Sequence, residues 1–399
     1  MKKLIFILLI MVVVLPAAFA ETRDDFFFAP VSPRIMGQGN SFTAVADGYE
    51  SLFTNPAGFA RSGGSFTLLS ATGSPYIPLE KMEDFTGFMG DVSNLDPEND
   101  SMSDILSPID SLLRENGIGG NASAGMGFVG KNIGLGVILD SDLYGRARRD
   151  TLLSTRMKGH ATVGGVAGLA FPFHFGDTTL YAGGDLRYMY RMRSRDLTMK
   201  DVLEMSAADS GGTQEEPEVE LLVGDTFAMD LGLIAERGPF TLGLSVRDFL
   251  GTEFSYEIAT ANDMETRSEL TENDPEYIIP MSVNLGASYR PDLGGLSRII
   301  DPMFHAEYKH VFYQDSVYER NEGYKSTPSF WNHVHMGTEV KLLNFLKLRA
   351  GLNQGYPTVG AGLKLLFLDM NMSFFSREVG DYPGDEQNSG FTLEAALRF

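Results

Sequence analysis

The sequence predicts an all-β protein: an antiparallel transmembrane β-barrel of fourteen strands with a short N-terminal helical hatch inside the lumen. Three observations carry this. From Gly63 onward, apolar and polar residues alternate with a period of two. The connections between these alternating stretches are long and short by turns. The last stretch runs to Phe399 with no polar tail behind it.

Taken in order, the chain opens with Lys2 and Lys3, an apolar run from Leu4 to Leu15, Pro16, and the triplet Ala18-Phe19-Ala20. A charged start, a short apolar run and small residues before a break make residues 1–20 a secretory signal peptide, cut before Glu21. The apolar run is too short for a spanning anchor, and no later stretch reaches about 18 continuous apolar residues. Residues 21–62 then read as a hatch or plug, and 63–399 as the outer-membrane barrel.

Composition narrows the class further. The chain has 0 Cys, which excludes disulfides, thiolate metal sites, Cys nucleophiles and a lipid-modified Cys. The 44 Gly, 28 Phe and 15 Tyr suit many short strands joined by tight turns. A net charge of −21 argues against nucleic acid, which demands clustered Lys and Arg.

Candidate strands lie near 63–72, 120–130, 132–143, 160–173, 178–191, 224–236, 239–250, 280–290, 302–313, 330–342, 345–352, 356–366, 367–377 and 389–399. In the last, Phe391, Leu393, Ala395, Leu397 and Phe399 form one face, against Thr392, Glu394, Ala396 and Arg398. Elsewhere the polar face carries Asp185, Arg187, Asp230, Arg247, Asn284, Arg290, Glu307 and Lys309. Polar inside and apolar outside is what a lipid-embedded barrel needs. Aromatics near strand ends, such as Phe171, Phe173, Tyr188, Tyr289, Phe312, Tyr313, Trp331 and Phe375, read as interfacial girdles or as a greasy path for substrate.

The short connections, at Lys131, 174–177, 237–238, 291–301, 343–344 and 367/368, belong on the periplasmic side. The long ones, 73–119, 144–159, 192–223, 251–279, 314–329 and 378–388, face outward, with only 353–355 short among them. Three of these loops, 73–119, 192–223 and 251–279, hold 26 acids against 6 bases. They are either plainly solvated or suited to bridging by divalent cations. In the first, Met102, Ile105, Ile109, Leu112 and Leu113 suggest helical patches over the mouth.

His305, Glu307 and Lys309 sit at alternate positions, as do His333, His335 and Glu339 on the neighbouring strand. That places them together on the lumen face, as a polar network or, less simply, a metal site. No metal and no cofactor is expected. Charges of both signs around the lumen disfavour a strongly ion-selective porin. Nor does any nucleophile elbow, phosphate loop or His-Glu-x-x-His helix occur, so no enzyme is expected. Gly125, Gly127, Gly134, Gly136, Gly164, Gly165 and Gly168 mark either a wall thinned against a plug or a kinked strand opening sideways.

Within 21–62, Phe42, Val45, Ala46, Tyr49 and Phe53 recur at helical spacing and predict a short amphipathic helix. It should stop before Pro56. Asn55 is placed to cap a new turn with Pro56 at its first position, which Gly58 then releases. Gly37 and Gly39 allow bends beforehand.

The stretch MGQGNSFTAVADGYESLFTNPAGFA (Met36–Ala60) resembles the hatch of the FadL-type long-chain fatty-acid transporters and the related PorV-like outer-membrane proteins. Asn55, Pro56, Ala57 and Gly58 match the family's Asn-Pro-Ala motif, and Arg349–Leu365 resembles the closing strands of spirochaete-type members. The resemblance implies a plugged barrel, a monomer, that takes up hydrophobic compounds such as long-chain fatty acids or similar lipids. These would rest against the hatch and leave through a lateral gap or the periplasmic end. Arg187, Arg191, Arg247, His305, His333, His335 and Arg349 are the possible ligand-facing residues of the lumen. The implied partners are outer-membrane lipid, hydrophobic small molecules and, through the strand ending at Phe399, the barrel assembly machinery. The alternative within the same resemblance is a PorV-like protein that does not transport but docks secreted proteins or supports a surface assembly. A general porin is disfavoured by the plug.

Overall fold

The computed structural model describes residues 22–24, 27–93, 107–147, 152–195, 197–202, 219–261, 263–271, 274, 276–310, 329–343, 345–380 and 382–399. The expected signal peptide, Met102, Ile105, Phe312 and Tyr313 lie outside the described residues.

Fourteen antiparallel strands close on themselves. They are β1 (Ser65–Pro75), β2 (Ile118–Gly130), β3 (Ile133–Gly145), β4 (Arg156–Phe175), β5 (Thr178–Ser194), β6 (Glu220–Arg237) and β7 (Phe240–Arg247). The second half comprises β8 (Ser282–Tyr289), β9 (Ile300–Tyr308), β10 (Val334–Leu342), β11 (Leu346–Asn353), β12 (Tyr356–Leu365), β13 (Leu368–Glu378) and β14 (Gln387–Arg398). Each strand pairs with its neighbour in sequence, and β1 pairs with β14 to close the ring. Closure leaves no unpaired edge, the condition for β-structure in lipid.

The period of two is realised as a lipid face and a lumen face. Leu135, Val137 and Leu139 stand about half exposed, Phe227 is 73% exposed, and the intervening positions turn inward. Inside lie Asp185, Arg187, Asp230, Arg247, Glu307, Glu339 and Arg349, all buried. One end of the barrel has tight turns, with Lys131, Asn132, Gly176, Gly238 and Leu366 at positive φ; the other carries the long connections. In the first of these, Met82–Ser93 and Asp110–Glu115 are helical. Leu112 and Leu113 are buried there with Ile77, Phe88 and Met157 in an apolar cluster. Among the described residues no helix is long and apolar enough to cross a membrane.

Three readings of the strands are corrected. The stretch 330–333 is a 3₁₀ turn before β10, because Ser329 accepts a hydrogen bond from the Trp331 backbone N–H and starts a tight turn. His333 is therefore not on the strand face. Arg290 sits at the short-turn rim, half exposed, where it donates to Asp301 from Nε at 2.7 Å, and is not a lumenal charge. Phe375 turns inward and packs against Tyr76, so it is no part of an interfacial girdle.

β2, β3 and β4 run in unbroken register through their glycines, so these do not kink the wall. The ladder is interrupted instead between β6 and β7. β7 pairs with Leu231–Arg237, while Asp225 and the residues before it pair with Ser255–Thr260. Residues 248–254 cover the interval, with Asp248, Leu250 and Gly251 at positive φ. There Phe249 N–H donates to the Met229 carbonyl at 2.8 Å.

Candidate functional site

The N-terminal segment from Phe27 to Ser62 lies inside the barrel. It is not the amphipathic helix that its spacing predicts. Pro33–Met36 forms one α-turn, while Tyr49–Phe53 and Pro56–Ala60 are 3₁₀ turns. The helix fails because Gly48 takes φ 60° and ψ −154°, and because most of the segment is enclosed by the wall. Phe42, Val45, Ala46, Tyr49, Leu52, Phe53 and Phe59 are all buried, as are the polar Ser41, Thr43, Glu50 and Ser51, while the Asp47 side chain stays 42% exposed. Burying each of the larger apolar ones contributes about 1.5–3 kcal/mol.

Asn55 begins the second 3₁₀ turn. Its Oδ1 accepts from Ala57 N–H at 3.1 Å, and Pro56 occupies the first position. Its Nδ2 donates to the Thr43 carbonyl at 3.0 Å and to the Leu244 carbonyl of β7 at 3.3 Å. The side chain thus ties two parts of the segment to the wall. Gly58 does not release the turn, which continues to Ala60. Its role is space: a methyl group there would lie 2.8 Å from the Ala46 carbonyl oxygen. Asn55→Ala is expected to lower thermal stability by about 1–2 kcal/mol, the usual loss for a cap, as read from the melting of the refolded barrel.

The wall is thinned where it meets this segment. A methyl group on Gly125 would strike the Tyr49 hydroxyl, on Gly134 the Phe59 ring, on Gly183 Pro56, and on Gly232 Asn55, all within 2.6 Å. Of the glycines singled out in the sequence, Gly165 alone meets nothing within 4 Å. The same close approach continues round the barrel at Gly243, Gly286, Gly337, Gly351 and Gly360, which the sequence reading passed over. The signal was present, as glycine at lumen-parity positions on many strands.

Polar lumen residues grip the segment from several strands. Glu307 accepts from Phe42 N–H at 2.5 Å and Thr43 N–H at 2.9 Å with Oε2, and from the Thr43 hydroxyl at 2.7 Å with Oε1. His305 Nδ1 lies 2.9 Å from Ser41 Oγ, His335 Nδ1 lies 3.2 Å from the Gly39 carbonyl, and Lys309 Nζ donates to Asn40 at 2.9 Å. The patch read from the sequence as a polar network or metal site is thus a row of contacts along residues 39–43. Among the described residues no cluster of His, Asp and Glu is arranged to hold a metal. His333 stands apart, its ring 5.5 Å from Tyr308 and 6.4 Å from His310.

Arg247 donates to the carbonyls of Phe53 and Phe28 while its Nε meets Asp230 at 3.2 Å. Arg187 bridges Asp230 at 2.9 Å and Asp248 at 2.7 Å. Arg191 donates to Thr162 at 2.8 Å and lies 4.7 Å from the centre of the Phe254 ring. Arg349 pairs with Glu339 at 2.8 Å and with Asn371 at 2.9 Å. These arginines face the lumen and are engaged with the wall or the segment.

A second ionic network was not legible in the sequence. Arg34 pairs with Asp47 at 2.7 Å and Glu50 at 3.3 Å within the segment. Arg398, next to the C-terminal residue, reaches Glu50 at 3.3 Å and Glu394 at 2.5 Å. Burial acts to raise the carboxyls of Asp47 and Glu50. Arg34 at Asp47, and Arg398 with Arg34 at Glu50, outweigh it and hold both below their ordinary values. Carboxyls whose folded pKa is depressed stabilise above the unfolded value and lose that stabilisation as pH falls through the folded one. The share of the seating held by these two carboxyls, read by protection from protease, is expected to be lost below about pH 4. Loosening that starts near pH 6.5 would instead implicate the histidines.

A gap bounded by Pro30, Tyr49, Phe53, Ile138 and Glu394 holds about 10 Å³, at the margin of what one water needs. A closed antiparallel barrel with an apolar outer belt and a filled lumen defines a plugged β-barrel of the outer-membrane type. It is similar to solved barrels. These include the Pseudomonas putida toluene transporter TodX, with 12% identity over 94% of this chain and 99% of that one and a TM-score of 0.45. The Ralstonia pickettii toluene transporter TbuX matches at 10% over 93% and 98%, with a TM-score of 0.47. A Pseudomonas aeruginosa FadL homologue matches at 12% over 94% and 99%, with a TM-score of 0.47. No family model matches the chain, and no curated protein matches it.

Proposed function

We propose that the chain is an outer-membrane transport protein for passive uptake of hydrophobic compounds, with residues 21–62 as its hatch, 63–399 as its barrel and 1–20 as a removed signal peptide. The observation that carries this is the lining of the lumen's outer half. There Phe254, Tyr256, Tyr277, Ile279 and Leu222 pack with Phe28 of the hatch into one apolar cluster. A water-filled porin keeps its interior polar. An apolar cluster above the seated segment suits a solute that partitions out of water.

Long-chain fatty acids fit within this class. Arg191 and Arg193 lie 4.7 Å from the Phe254 and Tyr277 ring centres, placing cations beside apolar surface at the mouth. Passage requires the hatch to shift, and the β6–β7 ladder, interrupted beyond Leu231, is one place where the wall can part. The strand ending at Phe399, whose side chain is 66% exposed, serves the assembly machinery.

The test is uptake of labelled oleate and toluene by cells with and without the gene. Faster uptake of either supports the reading, and equal uptake of both overturns it. Deleting residues 22–62 is expected to convert a closed barrel into a conducting one in planar bilayers. Unchanged conductance removes the hatch from the account.

A further inference from the structure

The lipid face of the barrel is not uniform. Across β5 to β10 it carries a cavity of about 600 Å³ that opens outward to the bilayer side, a volume in the range of small-molecule sites, about 300–1,000 Å³. The strand registers explain it. Leu180, Ala235, Leu242, Ala287 and Ala306 form one cross-strand row, and three of the five are alanine. The next row toward the short-turn end is bulky: Phe240, Tyr289 and Phe304 stand directly opposite one another and are 60%, 41% and 50% exposed. On the other side Leu233, Leu244, Leu285 and Tyr308 form a second raised row. The three alanines leave hollows between the two bulky rows on either side of Leu242, which stands 62% exposed between Ala235 and Ala287.

The floor of this interrupted trough is thin for a reason inside the barrel. Gly243 and Gly286 are register partners, and a methyl group on either would come within 2.9 Å of Ala44 of the hatch. With no side chain between, the wall is drawn in against the hatch. The trough's one ionised residue, Glu307, turns its carboxylate inward to Phe42 and Thr43, so the trough presents hydrocarbon alone. Four interstrand spacings make the row roughly 19 Å long, against roughly 15 Å for one leaflet of a 30 Å hydrocarbon core. On β6, Arg237 is exposed two residues beyond Ala235 on the same strand face, at the short-turn rim and in line with the aromatic row as the register partner of Phe240. A long basic side chain there reaches the head-group layer.

We propose that this trough holds one acyl chain of a phospholipid from the periplasmic leaflet, with its phosphate at Arg237. The alanine row accepts the chain, the aromatic row walls it off from the bulk bilayer, and the guanidinium selects an anionic head group. The site stands on the placement of the barrel in a membrane and not on the passage of any solute, so uptake and lipid retention fail separately.

The full barrel, reconstituted with phosphatidylglycerol carrying a diazirine on its acyl chain, is irradiated and the labelled peptides are mapped. Labelling of β7–β9 is expected to exceed that of β3 by about tenfold. Ala287→Phe, which fills the trough, is expected to abolish the excess. Arg237→Gln is expected to lower it about fivefold for phosphatidylglycerol and little for phosphatidylethanolamine. Even labelling around the belt overturns the proposal, as does an excess that survives Ala287→Phe. Displacement of the label by free oleate or toluene also overturns it, because the trough would then belong to the transported solute. Ala306→Phe replaces Ala287→Phe if the latter fails to fold, and the wild-type comparison needs no variant.

Discussion

Glu307→Ala is expected to open the barrel. The carboxylate takes two backbone N–H donors and one hydroxyl from Phe42 and Thr43, and both partners are buried. Truncation leaves two buried N–H groups without an acceptor at about 1–3 kcal/mol each, so the hatch loses about 2–6 kcal/mol of its attachment. Neighbouring contacts at Ser41, Asn40 and Gly39 would be weakened with it, since they hold the same extended stretch. In planar bilayers the wild type is expected to be closed and the variant to show intermittent openings. Glu307→Gln, which keeps an acceptor oxygen, should fall between them. A variant that melts and conducts like the wild type would show that the hatch is held elsewhere, with Arg247 the next residue to test.

Gly39→Ala is the second large expected effect, and its origin is steric. Gly39 has φ +67°, a region costing other residues about 1–2 kcal/mol. The added methyl would lie 2.0 Å from the Met336 carbonyl oxygen and 2.7 Å from that of Leu352. Those atoms belong to the ladder of β10 and β11, which cannot yield without losing hydrogen bonds in the wall. The barrel should therefore fold with residues 36–43 unseated, and protease should cut within the segment in the variant and not in the wild type. Equal protection of the two proteins would mean that the close approach at Gly39 is relieved by a shift of the segment alone.

Much of the architecture was legible because a bilayer imposes a simple rule on sequence. A strand between lipid and a filled lumen must alternate, so period two reports the face of each residue, and connection length reports the side of the membrane. Strand number, the closing strand at Phe399 and the lumenal placement of Arg187, Arg247, His305 and Glu307 follow from that rule.

The same rule is silent about partners. Periodicity places Glu307 in the lumen but cannot say that it meets Thr43, 264 residues away in the chain. Nor can it reveal that Arg398 and Glu50 share a network across 348 residues. The apolar spacing of Phe42, Val45, Tyr49 and Phe53 reads as a helix because one-dimensional spacing assumes one wet side. Enclosure by the wall removes most of that side, leaving Asp47 partly exposed, so turns buried on nearly every face replace it. By itself the sequence determined the barrel and the facing of most strand residues, Arg290, His333 and Phe375 excepted, because solvent and lipid act on each residue singly. The tertiary structure alone decided which inward residues hold residues 27–62, and where the lipid face is hollow. Those features depend on cross-strand register and on contacts between residues far apart in the chain.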